Sequence, residues 1–300
     1  MHVIGFGALN VDQLFKVNRI AASDEESYII DSESTCGGSA ANTIVGLARL
    51  GCQVGFIGKI ADDEMGKMLL NDFSKEGVDT RGIIITNYGG TGKVLGFVDL
   101  EGDRALYVNP GVNDSIDCGE ISKEFAFQTE FMHLSSFIGE RSFRAQRKIV
   151  EGLPKTVKVS LDPGEIYARK AESLESLLRR THVFMPNEKE IRLLTGINDI
   201  GKAAEDLIDK GVKIVAVKLG DRGCYITDGR SSHFEEAFMV TPVDTTGAGD
   251  AFCAGFLYGL IYGKSLRECG RIGNFVASRS IMMVGARDGL PRLEDLKLLD

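Results

Sequence analysis

None of the six cysteines stands in a Cys-x-x-Cys pair, and the four histidines are dispersed along the chain. A structural zinc site or a histidine-based metal centre needs clustered ligands, so neither is expected. Cys36, Cys52, Cys118, Cys224, Cys253 and Cys269 are expected to be reduced and mostly buried. Nowhere do 18 apolar residues run together, and the start, Met-His-Val-Ile-Gly-Phe-Gly, enters a strand without a charged leader or an apolar signal core. A soluble, cytoplasmic protein with no membrane partner is the expectation. Positive charge is also short, with 35 Lys and Arg against 43 Asp and Glu for a net charge of -8, which argues against a nucleic acid partner.

What is present suits a large core. Hydrophobic residues make up 43% of 300 positions, enough for a single α/β domain spanning 1–300. After the opening strand, apolar segments and helical periods alternate from Phe131 to Leu219, which predicts a parallel sheet covered on both faces. Ligands of such sheets gather at the carboxyl ends of the strands, where Asp162, Asn187 and Lys218 fall. Residues 13–35 and 83–110 read differently, as short alternating segments between glycines. They predict a small β-sheet lid over one side of the domain.

The most informative stretch is Val240–Gly255, VTPVDTTGAGDAFCAG. Pro242 is expected to end a strand-like approach, and Gly247 and Gly249 let the chain turn tightly around Ala248. Phe252, Phe256, Leu257, Leu260 and Ile261 then recur at helical spacing, so Gly247 to Asp250 forms a helix N-terminus. Free amides and the positive end of the helix favour an anion there. A helix cap explains an Asp at position 250. It does not explain the glycines before it, and a carboxylate among phosphate-binding amides is placed like a general base for phosphoryl transfer.

Other candidates have two readings each. Asn10 and Asp12 share a face if they lie on a strand and can then grip hydroxyl groups together, while an Asx turn is the plain alternative. Gly37-Gly-Ser-Ala-Ala-Asn42 opens a helix and permits close approach of a ligand near Gly38 and Asn42, or is simply a tight turn. Asn187 and Glu190, three apart at a helix start, can hold Mg²⁺ through its waters or form a capping box. Lys218-Leu-Gly-Asp-Arg-Gly223 can border a nucleotide or be a hairpin turn. Asp62 to Glu64 reads as a helix start.

In Gly37–Asn42 and Asp244-Thr-Thr-Gly-Ala-Gly-Asp250, and also in Gly7–Asp12, Asn187–Glu190 and Lys218–Gly223, the chain resembles the ribokinase, or PfkB-type, carbohydrate kinases over essentially its whole length. The resemblance implies a three-layer α/β/α sandwich with a mainly parallel sheet and a β-lid. It implies transfer of the terminal phosphoryl group of ATP to a sugar hydroxyl, with ADP open as a donor. Asp250 would be the base, and the amides of Gly247, Ala248 and Gly249 the anion hole. Asn10, Asp12, Gly38 and Asn42 would hold the sugar, Asn187 and Glu190 would organise Mg²⁺ and phosphate, and Lys218, Gly220, Gly223 and Asn274 would border the nucleotide. Asp244 and Thr246, with the Gly285–Gly289 segment, match a K⁺ site found in many relatives. A nucleoside kinase, with Phe97, Tyr107 or Phe137 against the base, a sugar-phosphate kinase, with Arg104 on the phosphate, and a non-catalytic sugar-binding regulator are the alternatives. Exposed lid edges suggest a homodimer.

Overall fold

The computed structural model describes residues 1–299. In chain order the strands are β1 (Val3–Phe6), β2 (Asn10–Val17), β3 (Ile29–Gly37), β4 (Val54–Ala61), β5 (Asp79–Thr86), β6 (Gly92–Val98), β7 (Arg104–Asn109), β8 (Phe131–Leu134), β9 (Lys158–Leu161), β10 (Thr181–Phe184), β11 (Ile214–Lys218), β12 (Cys224–Thr227) and β13 (Ser232–Glu235). The helices are α1 (Ser39–Arg49), α2 (Glu64–Lys75), α3 (Lys123–Phe127), α4 (Glu140–Gly152), α5 (Gly164–Ala168), α6 (Ala171–Leu178), α7 (Glu188–Thr195), α8 (Ile200–Asp209), α9 (Ala248–Ile261) and α10 (Leu266–Ser280).

A nine-stranded sheet, in the order β13-β12-β11-β10-β9-β8-β1-β4-β5, has parallel pairings throughout except at the reversed strand β12, which is antiparallel to both β11 and β13. Its short strands are apolar at successive positions because both faces are covered. Val3, Phe56, Val183 and Ala216 enter one core with α1, α9 and α10. Their neighbours Ile4, Ile57, Phe184 and Val217 enter the other core, with α4, α6, α7 and α8. Helix α9 is buried from Ala251 to Leu257 and lies between α1 and α10, which explains its apolar character on all sides. No helix among the described residues is long and apolar enough to cross a membrane.

A separate four-stranded sheet, β3-β2-β6-β7, forms the lid. Its boundaries differ from those expected. The Ile83-Ile84-Ile85 run belongs to β5 and extends the large sheet alongside β4, where its branched side chains suit a parallel edge, and the lid resumes only at Gly92. The approach to Gly247 also differs, since β13 ends at Glu235 and Val240–Pro242 has no regular structure.

Candidate active site

Asp250 lies in the first turn of α9. Gly247 precedes the helix in the left-handed region, at φ 76°, and a Cβ there would stand 2.7 Å from that of Ala286. Only glycine fits both constraints. Among the described residues, no acceptor meets the amides of Gly247, Gly249 or Asp250, whereas Ala248 N donates to Thr245 O at 3.2 Å. Of the amides expected to form the anion hole, those of Gly247 and Gly249 are free, as is that of Asp250, while Ala248 N is engaged by the Thr245 turn.

Helix α1 holds the carboxylate. Ser39 Oγ donates to Asp250 Oδ1 at 2.7 Å, Asn42 Nδ2 donates to Oδ2 at 2.9 Å, and Thr43 Oγ1 donates to the Asp250 carbonyl at 3.1 Å. The helix starts close to the lid because Gly38, at φ 109°, takes a conformation in which a Cβ would stand 2.3 Å from Ala8 O. Burial pushes the Asp250 carboxyl up to about 6, and the negative Asp162 adds to this, while Asn42, Ser39 and Lys218 pull it back. A carboxyl poised there can exchange a proton close to neutral pH, as general-base chemistry requires.

Lys218, at the end of β11, donates to Asp162 Oδ2 at 2.7 Å, and both side chains are nearly buried. Burial alone would discharge the amine, but Asp162, Cys253 and Glu190 hold it protonated well above the ordinary lysine range. Asn187 caps α7 in a reciprocal box: its Oδ1 accepts from Glu190 N, and its own N and Nδ2 donate to Glu190 Oε2 and Oε1, all at 2.8 Å. Burial and the neighbouring Asp162 raise the Glu190 carboxyl. The capping reading is thus realised, and the same geometry turns Glu190 toward a chamber of about 360 Å³ lined also by Asp162, Lys218, Gly249 and Asp250. No group of three His, Cys, Asp or Glu among the described residues could hold a metal ion. The chamber's oxygen groups, Asp162 and Glu190 among them, suit a hard cation such as Mg²⁺ that would be held largely through water.

Beyond Lys218, Gly220 and Gly249 the chamber opens into a cavity of about 330 Å³ walled by Phe238, Val240, Pro242, Phe252, Ala277 and Ile281. Its polar groups are few, as in a site for a flat, mostly apolar ring. Asn274 borders it by fastening the wall: its Nδ2 donates to Glu235 O at 2.9 Å and Glu236 O at 3.1 Å. Gly223 closes the turn from β11, at φ 96°, with a Cβ position 2.0 Å from Glu235 O.

Asn10 and Asp12 lie on β2 and share a face. Asn10 Oδ1 accepts from Asn113 Nδ2 at 3.0 Å, which leaves its amide nitrogen as the free donor. Asp12 Oδ1 is buried without a hydrogen-bond partner, and burial raises this carboxyl to about 6 against the pull of Arg287. Asp244 ties the anion-hole turn to the C-terminal segment. Its Oδ1 accepts from Thr246 N and Oγ1 at 2.9 and 2.7 Å, and its Oδ2 from Gly285 N at 2.9 Å. Burial would raise its carboxyl, but these donors and the charge of Arg104 on the lid keep it below the usual range.

The aromatic candidates for a base slot are elsewhere. Phe137 is a core residue against Phe6, and Phe97 stacks on Phe15 and meets Tyr107 on the lid face opposite Asn10 and Asp12. Sequence reasoning missed Ser39, Asn113 and Arg287 as site residues. Asn113 pins the start of β2 through Leu9 N and O, and no local pattern in the sequence marks it.

The pfkB family carbohydrate kinase model matches residues 2–293. An uncharacterized sugar kinase of Archaeoglobus fulgidus is 46% identical over 255 residues, covering 84% of this chain and 100% of that protein. An ATP-dependent ribose-1-phosphate kinase of Halopiger xanaduensis is 32% identical over 257 residues, covering 86% and 84%. The ribokinase of Arabidopsis thaliana, solved with ribose and ATP, superposes with a TM-score of 0.89 at 26% identity, covering 100% of this chain and 98% of that one. The chain belongs to the pfkB family of carbohydrate kinases.

Proposed function

We propose that the protein transfers the terminal phosphoryl group of ATP to a hydroxyl of a small, ribose-like sugar, with Asp250 as general base. The observation that carries this reading is the buried Asp250 carboxyl at the start of α9, held by Ser39 and Asn42 and lining one chamber with Asp162, Glu190, Lys218 and Gly249. The amides of Gly247, Gly249 and Asp250 are free at that helix start, and Asn10 and Asp12 on β2 supply the pair for the sugar hydroxyls. The sugar hydroxyl gives its proton to an Asp250 oxygen while its own oxygen bonds to the terminal phosphorus and the bond to ADP breaks. The amides and Lys218 meet the charge that develops on the transferred group, and each well-placed donor of this kind contributes about 10²- to 10³-fold. Asp162 and Glu190 would hold Mg²⁺ through water, and the ion supplies charge neutralisation between the phosphates. Asn274 and the walls of the apolar cavity take the adenine. Asp244, Thr246 and the 285–289 backbone would support the anion hole, and backbone oxygens of these segments would hold a K⁺ ion.

A phosphorylated sugar is the second reading, favoured by the ribose-1-phosphate kinase relative and by Arg104, whose charge reaches the Asp244 turn. A nucleoside is less well served, because Phe97, Tyr107 and Phe137 do not face Asn10 and Asp12. Nucleotide consumption measured over pentoses, hexoses, sugar phosphates and nucleosides, with ATP and with ADP, separates these readings. Ribose inactive beside an active nucleoside would overturn the first.

A further inference from the structure

Arg287 follows α10 in the Gly285–Gly289 turn, yet the residue is only 7% exposed and its side chain runs back toward α1 and α2. Its Nε donates to Asn42 Oδ1 at 2.8 Å, its Nη1 pairs with Asp72 on α2, and its guanidinium lies 5.8 Å from the Phe73 ring centroid. Its carbonyl accepts from Arg49 Nη1 at 2.5 Å, and Arg49 in turn pairs with Glu76. The segment after α10 is thus tied to both α1 and α2.

Asn42 has two chemically opposite ends, and only one of them helps a carboxylate. With its nitrogen toward Asp250 it donates, and with its oxygen there it repels. A guanidinium has donors only, so the Arg287 Nε–H requires the Asn42 oxygen and leaves the nitrogen for Asp250. We infer that Arg287 is a positioning residue, which holds Asn42 in the one amide orientation that donates to the base, with Asp72 setting the guanidinium in turn. The inference rests on Asp250 acting as base, and it adds a residue that acts on the base through Asn42.

The groups facing Asp250 are Ser39 and Asn42 from α1, Asp162 after β9, Glu190 of α7, Lys218 of β11 and Cys253 of α9. Arg287 also faces Asp12, so the ligand-free pH profile mixes two carboxyls. The informative quantity is therefore the acid limb of kcat at saturating sugar and nucleotide, together with a carboxyl NMR titration of Asp250 in the ligand-free protein. Loss of the Asn42 donation destabilises the charged base, so both should move to higher pH. Arg287→Lys keeps the charge and a partner for Asp72 but lacks the planar fork that serves Asn42 and Asp72 together.

Arg287→Lys is expected to unfold at close to the wild-type temperature and to lose about 10-fold or more in kcat, part of the ~10²- to 10⁴-fold a general base supplies. Arg287→Met should lose at least as much, and Asp72→Asn should shift the same way by less. Combined with Asn42→Ala, Arg287→Lys should cost little beyond Asn42→Ala alone, since both act through one bond. Unchanged kcat and acid limb in Arg287→Lys, or losses that simply add, would overturn the inference. If Arg287→Met does not fold, Arg287→Lys and Asp72→Asn decide the question. Asp250→Asn, assayed beside them, separates the two levels. Wild-type turnover there removes the base itself, whereas an inactive Asp250→Asn with normal Arg287 variants removes only the role of Arg287.

Discussion

Lys218 reaches across the end of β10 to donate to Asp162 Oδ2 at 2.7 Å, joining the ends of β11 and β9 in the chamber that Asp250 and Glu190 also line. It is the cation about which Asp162, Glu190 and Asp250 are gathered. Removing one partner of a buried pair leaves the other charge uncompensated, at about 3–5 kcal/mol. Lys218→Met is therefore expected to lower the stability of the free protein by that order in urea titration and to weaken ATP binding. Replacing Asp162 by Leu as well should recover much of the stability but not the affinity. A Lys218→Met protein as stable as wild type would contradict this account.

With Asp250 as the proposed base, its carboxyl, raised to about 6, should set the acid side of the rate profile. Activity needs the charged base, so kcat/KM should fall as the pH drops through 6. Asp12, also raised to about 6, titrates in the same window, and the fall should be steeper than for one proton. Asp250→Asn should lose about 10²- to 10⁴-fold in kcat while still binding sugar and nucleotide in calorimetry. Turnover within a few-fold of wild type would exclude the mechanism.

Asp12 is costly to the free protein in a way its ligand would relieve. Its folded value of about 6 lies above its ordinary 3.8, so the neutral form is favoured by folding. That contribution is fully present below the unfolded value, is lost as the pH rises through 6, and is absent above it. Asp12→Asn, which cannot ionise, should therefore unfold at a higher temperature than wild type at pH 7.5, with the difference vanishing near pH 4. Its sugar KM should rise about 10- to 100-fold, the cost of one hydrogen bond to a charged group. An equal melting temperature at pH 7.5 would show that the carboxylate is already compensated.

How much of this was legible in the sequence follows from the range of each interaction. The α9 start was readable because Gly247, Gly249 and the apolar period from Phe252 are local signals, and the Asn187–Glu190 box closes within a single turn. Lys218 and Asp162 were placed at strand ends by periodicity, but their pairing over β10 depends on strand order, which no local pattern encodes. Arg287 and Asn113 were out of reach for the same reason. Each acts on residues more than a hundred positions away, through a turn whose composition resembles any other. The Ile83–Ile85 run was assigned to the wrong sheet because β propensity specifies a strand and not its neighbour.

The lid leaves apolar side chains in water on both of its edge strands. Ile29 and Ile30 on β3 are 57% and 54% exposed, and Leu106, Tyr107 and Val108 on β7 are 53%, 63% and 51% exposed. Edge strands of soluble proteins are usually protected by charge, proline or a covering element, and a contiguous apolar edge marks a surface that pairs. We propose that the lids of two copies cover one another, which would also steady Asn10 and Asp12 on β2. Sedimentation should show a dimer for the wild-type chain. Ile30→Asp combined with Leu106→Asp should give a monomer with its large-domain melting transition intact and a raised sugar KM. A wild-type chain that sediments only as a monomer would remove the proposal, and a double variant that remains dimeric would place the contact elsewhere on the molecule.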